Sequence, residues 1–292
     1  MSDPPRGDRP ASQRIRGWRS FTSPPLPFAP VTLTVENQSF DLVADRGGVI
    51  DTTLPARLTP GWHTVWLRSG DELGVRSRVF VVADSQRVGV ICDIDDTVMV
   101  TALPRPFLAA WNTFVLDEHA RRPVPGMAVL LDRLARQYPG CPVIYLSTGA
   151  WNVQPTLSRF LGRHLYPRGP LLLTDWGPTH DRWFRSGRAH KTESLERLAR
   201  EFPDIQWILI GDDGQHDEDI YGHFSKEHPS SVRAIAIREL LTPEALLAGG
   251  RSHRNRTEDP DQIPWISAPD GAGLASELAK HGVVDTPLHS PE

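Results

Sequence analysis

Asp93, Asp95, Asp96 and Thr97 fall within five consecutive positions of the string Ile91-Cys-Asp-Ile-Asp-Asp-Thr-Val98, directly after an apolar run. Ser147-Thr148-Gly149 follows a second run, and Gly211-Asp212-Asp213-Gly214-Gln215-His216-Asp217 follows another. A lone lysine, Lys191, stands beside His190 where a helical pattern opens. Adjacent carboxylates in a confined site repel one another, and keeping them charged at low dielectric is costly unless a cation intervenes. All-oxygen ligation with several waters suits Mg²⁺ better than zinc. An EF-hand does not fit, because no glycine follows Thr97 and no glutamate closes a loop at the required spacing. The two cysteines, Cys92 and Cys141, are too few for a disulfide framework or a cysteine zinc site. They point to a reducing compartment and a cytoplasmic protein.

These residues belong to a segment of buried strands and helices. Val88 to Ile91, Val143 to Leu146, Leu171 to Leu173, Trp207 to Ile210 and Ala234 to Ile237 are unbroken apolar runs, as strands covered on both faces require. Leu157, Phe160, Leu161 and His164 repeat at i, i+3, i+4 and i+7, as do Leu195, Leu198, Ala199 and Phe202, the spacing of amphipathic helices. Alternating strand and helix implies an α/β fold with a parallel sheet, and ligands of such sheets sit beyond the carboxyl ends of the strands.

Residues 28–85 have a different texture. Val31, Leu33 and Val35, then Phe40 and Leu42, then His63, Val65 and Leu67 alternate with period 2, with turn signals at Gly47-Gly48, Pro60-Gly61 and Ser69-Gly70-Asp71. A small all-β, sandwich-like domain is expected there. The expected division is a basic, proline-rich arm at 1–27, the β domain at 28–85, the α/β domain at 86–245 and a flexible tail at 246–292, within which Gly273 to Lys280 could form a short helix. The apolar fraction of 39% and charged fraction of 23% describe a folding chain. A net charge of -4 speaks against a general nucleic-acid binder. No run approaches the ~20 apolar residues of a membrane helix, so membrane contact is expected to be peripheral at most.

The ordered set Asp93-x-Asp95-x-Thr97, Ser147, Lys191 and Gly211-Asp212 resembles the motifs of haloacid dehalogenase-like phosphohydrolases. The strings Asp93-Ile-Asp-Asp-Thr-Val98, Leu171-Leu-Leu-Thr-Asp-Trp-Gly177, His190-Lys191 and Ile210-Gly-Asp-Asp-Gly-Gln-His-Asp-Glu-Asp-Ile-Tyr221 narrow this. They are similar to the phosphatidate phosphatase catalytic domain of the actin-patch-protein type, a relative of the lipins, over about residues 86–240. The preceding β unit, with Arg16-Gly17-Trp18 and Pro60-Gly61-Trp62, also resembles the segment before that domain in bacterial members. The resemblance implies a Rossmann-like sheet with a small cap and a Mg²⁺-dependent phosphatase working through an aspartyl phosphate. Asp93 would be the nucleophile and Asp95 the general acid and base. Ser147 would donate to a phosphate oxygen, and Lys191 would offset charge on phosphate and nucleophile. Asp95 in place of the threonine of related cation pumps favours hydrolysis over a long-lived phosphoenzyme. Thr148, Gly149, Asn152 and His190 are expected at the substrate, a phosphate-bearing molecule and in this family a lipid. Mg²⁺ would be held by Asp93, the backbone carbonyl of Asp95 and Asp212. Where this family often has Gly-Asp-Ser-Gly-Gln, this chain has Asp213, which leaves open whether Asp213 or Asp217 supports the metal.

Plainer readings compete for several residues. Asp96 fits a turn, and Thr97 an ordering role in the loop. Asp217 and Asp219 also suit the first turn of a helix. The stretch His180 to His190, rich in arginine and aromatics, reads either as a solvated loop or as a rim against an anionic head group. Alternative functions are a phosphatase of a soluble phosphomonoester and a noncatalytic phospholipid-binding module; retention of Asp93 and Asp95 speaks against the latter.

Overall fold

A computed structural model of the chain describes residues 26–70, 74–100, 122–174, 183–214, 216–241 and 263–285. Residues 1–25 of the basic arm, residues 101–121, where the expected small cap would fall, residues 175–182, and residues 242–262 and 286–292 lie outside the described residues.

The period-2 segments form β1 (Pro30–Val35), β2 (Gln38–Val43), β3 (Gly61–Arg68) and β4 (Val75–Val81). They pair antiparallel in the order β2-β1-β3-β4, so among the described residues this unit is one four-stranded sheet. Val35 and Val65, paired across β1 and β3, are buried on one face.

The second unit starts with β5 (Val88–Asp93), every residue of which is buried. A two-stranded ribbon, β6 (Met99–Val100) with β7 (Arg122–Pro123), leads to helix α1 (Met127–Gln137). Next come β8 (Val143–Ala150), a short 3₁₀ turn, α2 (Gln154–Arg163), β9 (Leu171–Thr174) and α3 (Trp183–Glu201). The chain continues through β10 (Gln206–Asp212), α4 (Asp217–Glu227), β11 (Val232–Arg238), β12 (Trp265–Ala268) and α5 (Gly271–Lys280). β5 and β8 to β12 form a six-stranded parallel sheet in the order β12-β11-β10-β5-β8-β9. One core lies on the side of α1, α2 and α5, around Met127, Leu130, Leu157 and Leu274. The other lies on the side of α3 and α4, around Leu195, Trp207 and Tyr221. Covering both faces explains why these strands read as uninterrupted apolar runs.

Two expectations need correction. The span 246–292 is not all tail: the short helix expected at Gly273 to Lys280 is present as α5, β12 hydrogen-bonds along β11, and Ile266, Leu274 and Leu278 are buried in the first core. Burial of these apolar side chains supplies the driving force that the weak periodicity of the segment concealed. Lys191 does not open its helix either. α3 begins at Trp183, so the lysine lies in mid-helix, and the His180 to His190 stretch is helical from Trp183 onward. Among the described residues no helix is long and apolar enough to cross a membrane.

Candidate active site

The carboxyl edge of the parallel sheet gathers the predicted residues. β5 and β10 are hydrogen-bonded neighbours, so Asp93 and Asp212 end adjacent strands. Asp217 is the first residue of α4, where the helix dipole favours a carboxylate. Asp93, Asp212 and Asp217 each present an oxygen so that all three lie within 4.8 Å of one another, and all are buried. Lys191 reaches in from α3 and donates to Asp93 Oδ1 at 2.6 Å and to Asp217 Oδ1 at 2.5 Å.

The chain is tied tightly after Asp93. Ile94 O accepts from Val98 N at 2.9 Å and Met99 N at 3.1 Å, and Asp96 N donates to Met99 O at 2.8 Å. The reversal puts Asp96 at φ 58°, a left-handed conformation that aspartate tolerates better than most residues. The turn reading of Asp96 therefore agrees with the geometry. Thr97 Oγ1 points toward Asp212 Oδ2 at 3.5 Å, which links the two strand ends. Asp95, half-buried, accepts from Ser147 Oγ at 3.0 Å, and Ser147 Oγ in turn accepts from Gly149 N at 3.0 Å. Ser147, Thr148 and Gly149 lie inside β8 rather than beyond it.

Charge is unbalanced in this cluster. Burial, followed by the repulsion of Asp217 and Asp93, pushes the Asp212 carboxyl well above its usual range. Burial also raises Asp93; Lys191 opposes that shift without cancelling it, and Asp217 adds to it. Burial alone would lower Lys191, but Asp217 and Asp93 overcome this and hold the ammonium above its ordinary value. Both groups therefore shift upward, the carboxyl chiefly through burial and the ammonium through its two carboxylate neighbours. The cluster has room for more positive charge, and its donors are all carboxylate oxygens, which fits a hard divalent cation. Asp213 points elsewhere: its Oδ1 accepts from Leu240 N at 2.8 Å, and it stands outside the three-carboxylate group. Burial keeps the neighbouring Cys92 thiol protonated, so it adds no thiolate ligand.

The residues expected at the substrate lie on β8, the turn that follows it and α3. Thr148 is exposed, Gly149 is buried, and Asn152 lies in the 3₁₀ turn after β8. Asn152 Oδ1 and His190 Nε2 are buried without hydrogen-bond partners among the described residues. Burial lowers the His190 pKa, which favours the neutral imidazole.

Residues 88–239 match the family described as the catalytic domain of phosphatidate phosphatase APP1. The chain belongs to this family. Two relatives are phosphatidate phosphatase APP1 of Saccharomyces cerevisiae and an uncharacterized protein of Schizosaccharomyces pombe. The first is 23% identical over 152 residues, covering 52% of this chain and 26% of the yeast protein. The second is 25% identical over 162 residues, covering 55% of this chain and 26% of its own. The chain thus spans about a quarter of the length of either relative. Among solved structures, a chain of the Pnkp1/Rnl/Hen1 complex is similar at 22% identity, covering 51% of this chain and 45% of that one, with a TM-score of 0.36.

The candidate site residues all lie inside the matched segment. So does Arg238, which sequence reasoning passed over. It is 3% exposed at the end of β11 and donates from Nη1 to Asp96 O at 2.6 Å and from Nε to Pro269 O at 3.3 Å. Both of these acceptors are backbone carbonyls, which leave no pattern in a sequence. The one available signal was an arginine ending an apolar strand at the edge where ligands bind.

Proposed function

We propose that the chain is a Mg²⁺-dependent phosphatase of phosphatidate or a closely related lipid phosphate, acting through an aspartyl phosphate on Asp93. The observation that carries this reading is the buried group of Asp93, Asp212 and Asp217 around Lys191, within a segment that matches a phosphatidate phosphatase family. Asp93, Asp212 and Asp217 are the side chains that would hold the metal. Bound there, Mg²⁺ supplies positive charge that lets an anionic nucleophile approach an anionic phosphate.

The chain's own groups account for the rest. Lys191 holds the Asp93 carboxylate in place and neutralises part of its charge. Asp93 attacks phosphorus as the bond to the leaving alkoxide breaks, and Asp95 gives that alkoxide its proton. Asp95 then takes a proton from water, which attacks the phosphorus of the acyl phosphate and frees Asp93 with release of inorganic phosphate. The Ser147 contact suits this alternation. An ionised Asp95 occupies the Ser147 proton, whereas a protonated Asp95 leaves that hydroxyl to donate to a phosphate oxygen.

The test is phosphate release from phosphatidate in mixed micelles, with Mg²⁺ or with EDTA, beside Asp93→Asn and a panel of sugar phosphates and nucleotides. The expected result is Mg²⁺-dependent turnover of phosphatidate that Asp93→Asn abolishes. Turnover confined to soluble phosphomonoesters would overturn the lipid assignment, and phosphatidate binding without turnover would return the chain to the noncatalytic module.

A further inference from the structure

The N-terminal sheet has a face that the catalytic reading leaves unused. Strand β3 alternates, so His63, Val65 and Leu67 point to one side and Trp62, Thr64, Trp66 and Arg68 to the other. The register pairs Trp62 with Phe80, Thr64 with Arg78 and Trp66 with Arg76, which puts those β4 side chains on the tryptophan side. A solvated face of an antiparallel sheet is ordinarily polar. Here Trp62 is 40% exposed and Trp66 is 51% exposed, and the Trp62 and Phe80 rings lie with centroids 5.0 Å apart. Arg68, Arg76 and Arg78 are also exposed, and none makes an ion pair or hydrogen bond with another side chain among the described residues. Asp41 on β2, the carboxylate on this face among the described residues, accepts from Thr32 at 2.9 Å.

We infer that this face docks on the surface of an anionic phospholipid bilayer. Indole rings are amphipathic and favour the level of the lipid head groups, while arginines near an anionic surface each add electrostatic attraction. The whole chain carries a net charge of -4, so attraction to such a surface must come from a local patch of opposite sign. The inference rests on the phosphatidate reading in one respect: a lipid substrate gives the enzyme a reason to stay at the membrane. Single-stranded nucleic acid also stacks on aromatic side chains between arginines, and the experiment separates the two.

The full chain would be sedimented with vesicles of phosphatidylcholine alone or mixed with phosphatidylglycerol, whose phosphodiester is not a substrate for a phosphomonoesterase. The expected result is binding to the mixed vesicles only, weakened by salt. Trp62→Ser with Trp66→Ser, and Arg68→Gln with Arg76→Gln and Arg78→Gln, should each weaken it roughly tenfold or more while leaving far-UV circular dichroism unchanged. Folded variants that bind like wild type would overturn the inference. So would a wild-type chain that ignores both vesicles, including one that instead binds a fluorescent single-stranded oligonucleotide. Loss of phosphatidate hydrolysis with vesicle binding through this face intact would sink the substrate assignment and leave the docking face standing.

Discussion

Gly211 and Asp217 pack so closely that a Cβ on the glycine would fall 2.6 Å from Asp217 Oδ2 and 2.8 Å from Asp217 Cβ. The missing side chain at the end of β10 is what lets the first turn of α4 lie against the strand and aim its carboxylate at Asp93. Gly211→Ala should therefore displace Asp217, weaken Mg²⁺ binding about tenfold, and cost about 1–3 kcal/mol from overpacking. Calorimetric titration with Mg²⁺ reads the first effect and urea denaturation the second. An unaltered Mg²⁺ titration in a destabilised variant would remove Asp217 from the ligand set.

Lys191 and the proposed metal should stabilise the same carboxylates. Lys191→Met leaves Asp93 and Asp217 buried without the ammonium that bridges them. Stripping a partner from a buried charged group costs about 3–5 kcal/mol, and that loss should appear in EDTA and shrink in saturating Mg²⁺. Denaturation curves in the two media give the comparison. An equal loss in both would mean that lysine and metal do not serve the same carboxylates.

The pH dependence of the metal-free protein has a defined sign. Asp93 and Asp212 have folded pKa values raised above their ordinary range, chiefly by burial, so folding favours their protonated forms. Their contribution is fully present below the ordinary carboxylate value of about 4 and is lost as pH rises through the folded values. Stability in EDTA should fall with pH across that window, and Asp212→Asn should flatten the fall. Mg²⁺ should flatten it too, since it favours the ionised carboxylates. Urea midpoints at a series of pH values check each of these, and a wild-type slope matched by Asp212→Asn would show that the cluster does not set it.

Arg238 positions the loop that carries Asp95. Its guanidinium holds the carbonyl of Asp96, the residue forced to positive φ, and it meets neither Asp93 nor Ser147 in the hydrogen bonds described above. Arg238→Ala should lower kcat roughly tenfold to a hundredfold with little change in KM, because small misplacements of a reacting group cost that much. Added guanidinium should restore part of the rate. A variant that only melts earlier, with normal kcat per folded molecule and no rescue, would reduce Arg238 to a packing role.

How much of this was legible depended on the range of the forces involved. β5, β8 and β10 stood out because strands buried on both faces need unbroken apolar runs; Asp93 and Asp212 followed from the strand ends, and Ser147 from the end of the apolar run within β8. That Asp217, and not Asp213, lies with Asp93 and Asp212 did not follow. It turns on how closely α4 can approach β10 and on Asp213 being drawn to the amide of Leu240, both of them tertiary facts. The start of α3 was missed because residues 183–190 have no strong apolar period, although the segment continues into a well-marked helix. The four residues of β12 sit at the sheet edge with mixed burial, which erases the run that identified the central strands.

The segment read as tail offers the sharpest check on the fold. α5 starts where Asp270 Oδ1 accepts from Gly273 N at 2.9 Å, a helix cap, and Gly271 N donates to Pro125 O at 2.9 Å. A Cβ on Gly271 would meet Met127 N and the Gly126 carbonyl carbon, each at 2.3 Å, so α5 lies directly against the start of α1. Leu278 is fully buried there. Leu278→Ala should cost about 2–5 kcal/mol through lost burial and the cavity left behind. Leu165→Ala, at a leucine that is 83% exposed, serves as the control and should change stability by only about 0.5 kcal/mol or less. Urea denaturation of the two variants decides the matter, and equal, small effects would mean that the C-terminal helix does not belong to the core of the α/β unit.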